Sequence, residues 1–247
     1  MIVERSMHPG WLSNSYLVAD RPGGSAVLID SGGPAEPILA RIEEDGLTVT
    51  HLLCTHHHGD HVANNALYVS RFDCAVLAHA AERERIGPGV RSLADGQEVE
   101  SGGLSVQALH VPGHTTGQLT FLVNGAHAFT GDTLFRRTVG GTRAPGHATF
   151  EELRRSIMER LMGLPGETVV HPGHAGPTTV GEEWERNPFI RAWRGLDPVR
   201  ESRCAALGRP ATLLLRAGDY DGGTKCWVRF DAGREEAVVP GSRVEDV

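Results

Sequence analysis

Cysteine is scarce in this 247-residue chain, and its four copies (Cys54, Cys74, Cys204 and Cys226) form no C-x-x-C pair. That spacing excludes a disulfide framework and leaves them as reduced, mostly buried thiols. No apolar run approaches the roughly 20 residues of a membrane span. The start, Met1-Ile2-Val3-Glu4-Arg5, lacks the apolar stretch of a signal peptide, so a cytoplasmic location is expected. Positive charge is in deficit: 24 Lys and Arg stand against 31 Asp and Glu, a formal charge of −7 with His neutral. This balance favours neither a nucleic-acid backbone nor an anionic membrane as partner. There is no internal repeat and no low-complexity tract. At 40% hydrophobic and 22% charged residues, the composition is that of a globular protein, long enough to bury a core without a metal or disulfide to hold it.

Glycine and histidine, by contrast, are plentiful. Thirty-one Gly imply many tight turns, and 13 His need an explanation. Four of them fall in Thr55-His56-His57-His58-Gly59-Asp60-His61, directly after the apolar run His51-Leu52-Leu53-Cys54. Imidazole and carboxylate are ligands that borderline divalent metals such as zinc prefer. His56 and His58, two apart, point the same way on an extended segment, and Gly59 permits a sharp turn before Asp60 and His61. One short loop can therefore offer ligands to two adjacent metal ions.

Short apolar, β-branched runs mark strands at Tyr16–Ala19 and Ala26–Asp30, joined by the turn Asp20-Arg21-Pro22-Gly23-Gly24. A helix is expected near 35–45, a strand from Val49 to Thr55, and a helix from Val62 to Arg71. A strand at Ala75–Ala78, a short helix over 80–86 and a strand at Leu104–Val111 follow. Leu119–Val123 and His127–Thr130 form a hairpin about Asn124-Gly125, Phe150–Met162 is a helix, and Thr168–Val170 is a last core strand. Several candidate ligands sit just past a strand: the 56–61 cluster, His114 in Pro112-Gly113-His114-Thr115, Asp132 in Gly131-Asp132-Thr133, and His174 in His171-Pro172-Gly173-His174. Asp30, also at a strand end, reads equally as a support for such a site or as a turn residue. Residues 1–194 form one domain and 195–210 read as a linker. Residues 211–247 carry three strand-like runs, a β unit too small to fold alone. It should pack on the main domain or on a second copy of the chain.

With T-H-H-H-G-D-H at 55–61, P-G-H-T at 112–115, G-D-T-L-F at 131–135 and P-G-H at 172–174 in this order, the chain over roughly residues 10–190 resembles the metallo-β-lactamase-fold hydrolase superfamily. Within it, the likeness is to the glyoxalase II-like (hydroxyacylglutathione hydrolase-like) branch. The resemblance implies an α/β fold, an αββα four-layer sandwich with the site at one edge of two sheets, here with a small C-terminal β appendage. It also implies two divalent metal ions, zinc first, with iron or manganese as alternatives. One would sit on His56, His58 and His114 and the other on Asp60, His61 and His174, with Asp132 bridging. His57 and His171 fall outside the set. Asp60 would also hold or relay the proton of the attacking water. Two metals about 3.5 Å apart make water nucleophilic near neutral pH and polarise a carbonyl, so the implied activity is hydrolysis of a thioester or ester of a small acidic metabolite.

Two features depart from that branch. Where compact relatives carry G-R-T-D, this chain has Gly140-Gly141-Thr142-Arg143. Arg137 and Arg143 are candidates to grip a substrate carboxylate; a solvated basic loop is the other reading. The helical C-terminal domain of the larger enzymes is replaced by the β unit. A mononuclear non-haem iron enzyme similar to persulfide dioxygenases, on His56, His114 and Asp132, is the competing activity. Lactonase and phosphodiesterase chemistry share the fold.

Overall fold

The computed structural model describes residues 1–247. Six strands build a first sheet in chain order: β1 (Ile2–Met7), β2 (Asn14–Ala19), β3 (Ser25–Ile29), β4 (Thr48–Leu53), β5 (Ala75–His79) and β6 (Arg91–Leu93). The first three pair antiparallel and the rest parallel. A second sheet runs β14-β13-β10-β9-β8-β7. Its strands are β7 (Glu98–Ser101), β8 (Leu104–His110), β9 (Leu119–Val123), β10 (His127–Gly131), β13 (Val169–Pro172) and β14 (Thr178–Thr179). The two-residue strands β11 (Leu134–Phe135) and β12 (Thr138–Val139) pair separately.

Alternation along β2 decides the layering. Tyr16 and Val18 point into the gap between the sheets, where they meet Phe121 and Phe129. Leu17 and Ala19 point outward into a second cluster with Ile38, Ile42 and Tyr68, which come from α1 (Ala35–Glu44) and α3 (Asn65–Phe72). Successive side chains on a strand face opposite ways, so a strand apolar on both faces needs a layer on each. The outer face of the second sheet is covered by α5 (Phe150–Arg155), a wider π-type continuation over Ser156–Leu161, α6 (Val180–Arg186) and α7 (Pro188–Trp193). The αββα sandwich stands as expected. α5 starts on a capping box in which Thr149 and Glu152 satisfy each other's backbone amides. No helix is long and apolar enough to cross a membrane, and all four cysteines are free and buried.

The helix expected over 62–71 is two. α2 (Gly59–Val62) ends and α3 restarts at Asn65. Asn64 breaks the run because its backbone donates to Ser31 O and its side chain to Gly33 O, which ties the break to the loop after β3.

The stretch 195–210 is not all connector. Ser202–Ala206 is strand β15, and β16 (Arg209–Gly218) begins within the same stretch. Cys204 and Ala206 are its inward residues, too small to register as an apolar run. With β17 (Thr224–Phe230), β18 (Glu236–Pro240) and β19 (Val244–Asp246) they form a five-stranded antiparallel sheet, order β18-β17-β16-β15-β19. One face buries its own core of Cys226, Val228 and Phe230. The other lays Trp227 and Val238 on the main domain beside Phe150 and Trp193. Thr142 N donates to Val238 O at 2.9 Å, and Val238 N donates to Thr142 Oγ1 at 3.0 Å. The β unit therefore docks on its own chain.

Candidate metal centre

The four loops that carry the His and Asp residues leave strands at one edge. β8, β10 and β13 all run the same way, since β9 is antiparallel to both β8 and β10, and β13 is parallel to β10. Their C-terminal ends deliver His114, Asp132 and His174. β4 delivers the 56–61 loop, and Leu119 N donates to Thr55 O at 2.9 Å, which joins the two sheets there. A rigid scaffold thus presents side chains from loops that share one end.

The structure brings the seven residues together in three overlapping groups, each with its ligand atoms within 4.8 Å of one another: His56, His58 and His114; His56, His61 and Asp132; and Asp60, His61 and His174. In the first group, His58 Nδ1 lies 3.0 Å from His56 Nε2 and 3.0 Å from His114 Nε2. In the last, Asp60 Oδ2 lies 3.6 Å from both His61 Nε2 and His174 Nε2. Asp132 stands between them, with Oδ2 3.4 Å from His114 Nε2 and 3.3 Å from His174 Nε2, and Oδ1 3.3 Å from His61 Nε2.

The outer ring nitrogens are spoken for. His58 Nε2 faces Pro145 O at 2.9 Å, and His114 Nδ1 faces Gly141 O at 2.8 Å. A carbonyl only accepts, so each of those nitrogens carries the proton. Burial holds the His114 pKa down at about 4 and also lowers that of His58, so both rings are neutral near pH 7. Their inner nitrogens are then bare lone pairs 3.0 Å apart. Two lone pairs at that distance repel unless a cation lies between them. His61 Nε2 and Asp132 Oδ1 are likewise buried without a hydrogen-bond partner, although they are 3.3 Å apart. These atoms are aimed at common points rather than at each other. The donor set, imidazole nitrogen and carboxylate oxygen, suits zinc, iron or manganese.

A supporting layer fixes the rings. Asp30 has a left-handed backbone, φ +55°, which turns its carboxylate back over β4. It accepts from Thr55 N and Thr55 Oγ1, both at 2.8 Å, and faces His61 Nδ1 at 2.9 Å. Of its two readings from sequence, support for the site is the one its contacts match. Glu82, fully buried, accepts from His57 N at 3.1 Å and Gly117 N at 2.7 Å and pairs with His57 Nδ1. It ties the 56–61 loop to the 114–117 loop, and nothing in its sequence context announces it. His57 thus turns away from the cluster. His171 is packed on Phe129 and faces His127.

The two candidate arginines part company. Arg137 pairs with Glu182 at 2.7 Å, and its amide donates to Glu183, away from the cluster. Arg143 lines a cavity of about 330 Å³ next to His114 and Asp132, with its guanidinium 2.9 Å from Glu235. The far wall of that cavity comes from the β unit and includes Tyr220 and Lys225. Tyr220 stacks flat on His174, ring centroids 4.3 Å apart. Of the unit's aromatic residues Tyr220, Trp227 and Phe230, only Phe230 lies in the unit's own core.

Known proteins give the same picture. The model of the metallo-beta-lactamase superfamily matches residues 8–174. A protein of Mycobacterium tuberculosis (strain ATCC 25618 / H37Rv), described as uncharacterized, is 36% identical over 72% of this chain and 92% of its own. A hydroxyacylglutathione hydrolase of Rhizobium meliloti (strain 1021) is 32% identical over 71% of this chain and 81% of its own. The crystal structure of TTHA1623 in a di-iron-bound form is 37% identical, covers 74% of this chain and 98% of that one, and superimposes with a TM-score of 0.65. With the fold, the strand-end loops and these matches in agreement, the chain belongs to the metallo-beta-lactamase superfamily.

Proposed function

We propose that the chain is a metal-dependent hydrolase that cleaves the thioester of a small acidic molecule at a two-metal centre. His56, His58 and His114 would hold one ion, Asp60, His61 and His174 the other, and Asp132 would touch both. The observation that carries this reading is the convergence of unprotonated ring nitrogens in one cluster and of buried, unpartnered His61 Nε2 and Asp132 Oδ1 in the next. The likeness to a hydroxyacylglutathione hydrolase supports the thioester, and the net charge of −7 supports a small molecule rather than nucleic acid as substrate.

Two bound divalent ions would supply water of lowered pKa and an electrophile for the carbonyl oxygen. The chain's residues do the rest. Asp30, Pro145 O and Gly141 O lock three rings so that their inner nitrogens stay aimed inward. Asp60, whose side chain is 27% exposed, is placed to take the proton of the attacking water. Phe135 and Tyr220 pack over His174 and keep bulk water from that side. The carbonyl carbon gains the water oxygen, the C–S bond breaks, and the thiol leaves with a proton.

The test is metal content per chain on protein purified without added metal, with parallel assays on S-lactoylglutathione and glutathione persulfide. Two equivalents with thioester hydrolysis, falling to one in His61→Ala, are expected. One equivalent of iron with oxygen uptake on the persulfide would overturn the proposal in favour of the one-metal reading.

A further inference from the structure

Of the 24 basic residues, 23 are arginine and one is lysine, Lys225. That lysine is not on the surface, where lysine belongs. It is 5% exposed and lines the cavity beside His114 and Asp132. Its ammonium lies 5.0 Å from the centroid of Tyr220 and 5.3 Å from that of Phe135, and Tyr220 in turn lies flat on His174. Its one ionic partner is Asp219 Oδ2 at 3.1 Å, equally buried. An ammonium has three donors, and Asp219 occupies one.

A buried ion pair is weak as a stabilising device, since desolvating both charges offsets their attraction. Asp219 is the one group in the packing that asks for a charge there. β17 alternates Lys225 and Trp227 toward the main domain, and an apolar residue at 225 would serve the docking as well. The other charged groups facing the cavity are Asp132, which belongs to the His and Asp cluster, Arg143, held by Glu235 at 2.9 Å, and Arg243, exposed at its rim. Lys225 and Arg143 each keep donors beyond their one carboxylate partner, and Arg243 has none, so a space of about 330 Å³, at the small end for ligand sites, has cationic donors left over for an anion.

We propose that Lys225 anchors a carboxylate of the substrate, so that the C-terminal β unit selects acidic thioesters for the centre on the main domain. This rests on the hydrolase reading above. The superfamily match ends at residue 174, so the selecting wall belongs to this chain's own appendage. Arg143 supports the same anion from the opposite wall, and Asp219 holds the ammonium in place while competing for it. Lys225 supplies a compact point charge with rotatable donors, suited to one carboxylate.

The experiment uses the full-length, metal-loaded enzyme and pairs of thioesters that differ only in a free carboxylate against its methyl ester. The wild type should prefer the acid at least tenfold in kcat/KM. Lys225→Met should raise KM for the acid 10- to 100-fold while leaving kcat and the ester within about twofold. Lys225→Arg should restore part of the preference. Asp219→Asn, which frees the ammonium, should lower KM for the acid, and Lys225→Met with Asp219→Asn guards against a fold defect from an orphaned carboxylate. Because the chain has one lysine, a ¹⁵N-lysine sample gives a single side-chain ammonium signal, and succinate should shift it saturably. A saturable shift without hydrolysis of any thioester would remove the proposed reaction and leave the anion site standing. Equal losses on acid and ester in Lys225→Met, or no shift of the signal with succinate, would overturn the site.

Discussion

Asp30 Oδ2 lies 2.9 Å from His61 Nδ1, while Asp30 Oδ1 accepts the Thr55 amide at 2.8 Å. One carboxylate thus sets both the end of β4 and the tautomer of a ring 31 positions away. Asp30→Asn keeps the shape and one acceptor but removes the charge that favours the proton on Nδ1. Partners of this kind are worth 10- to 100-fold in metal affinity. Competition with a coloured chelator should show bound metal released about that much more readily, with an unchanged circular dichroism spectrum. Unaltered release would contradict it.

Gly173 makes room for the cluster. A methyl group there would overlap Asp132 Oδ1 and crowd the His61 ring. Its backbone is not in the left-handed region, so Gly173→Ala brings no conformational strain of its own. The expected variant is folded but binds less than half the wild-type metal, as read by elemental analysis after gel filtration.

Glu82 closes a link between two loops. Glu82→Gln leaves an NH2 facing one of the amides and the ring that a carboxylate satisfied. A buried donor left without its acceptor costs roughly 1–3 kcal/mol. Urea denaturation should give a loss in that range with an unchanged slope, and a loss near zero would mean that the loops are held elsewhere.

His171 predicts an acid weakness. Burial holds its pKa at about 4, below the ordinary 6.5. Between those values the unfolded chain takes up a proton that the folded one does not, so stability falls as pH drops from 6.5 to 4 and levels off below. The full effect is roughly 3 kcal/mol. His171→Phe, packed on the same Phe129 face, should show a shallower decline across this window in denaturant titrations run with chelator present. Parallel declines would count against it.

The gathering of the seven His and Asp residues was legible because most of it is local. Four of the seven residues sit in six positions, and the other three follow short Pro-Gly or Gly-Asp turns at strand ends. The four layers were legible through the family resemblance that those motifs carry, and the structure supplies their reason in β2, apolar on both faces. The β unit was not. β15 hides behind Cys204 and Ala206, small residues with little apolar signal. Lys225 reads as an ordinary strand residue until the sheet is docked and its alternation turns it inward. Arg137 and Arg143 look alike in sequence, and only tertiary contacts separate them: Glu182 holds the first away from the cluster, whereas the second reaches the cavity wall.

The order of the parts along the chain gives the molecule a direction in time. His56 through His174 leave the ribosome before any of β15 to β19 does. A nascent chain therefore holds every residue proposed to bind metal while the wall with Tyr220 and Lys225 is still unmade. The main-domain face of Phe150 and Trp193 and the loop at Gly141 and Thr142 wait for Trp227 and Val238 to cover and pin them, so the site's last wall and part of its support arrive together, after all seven clustered residues.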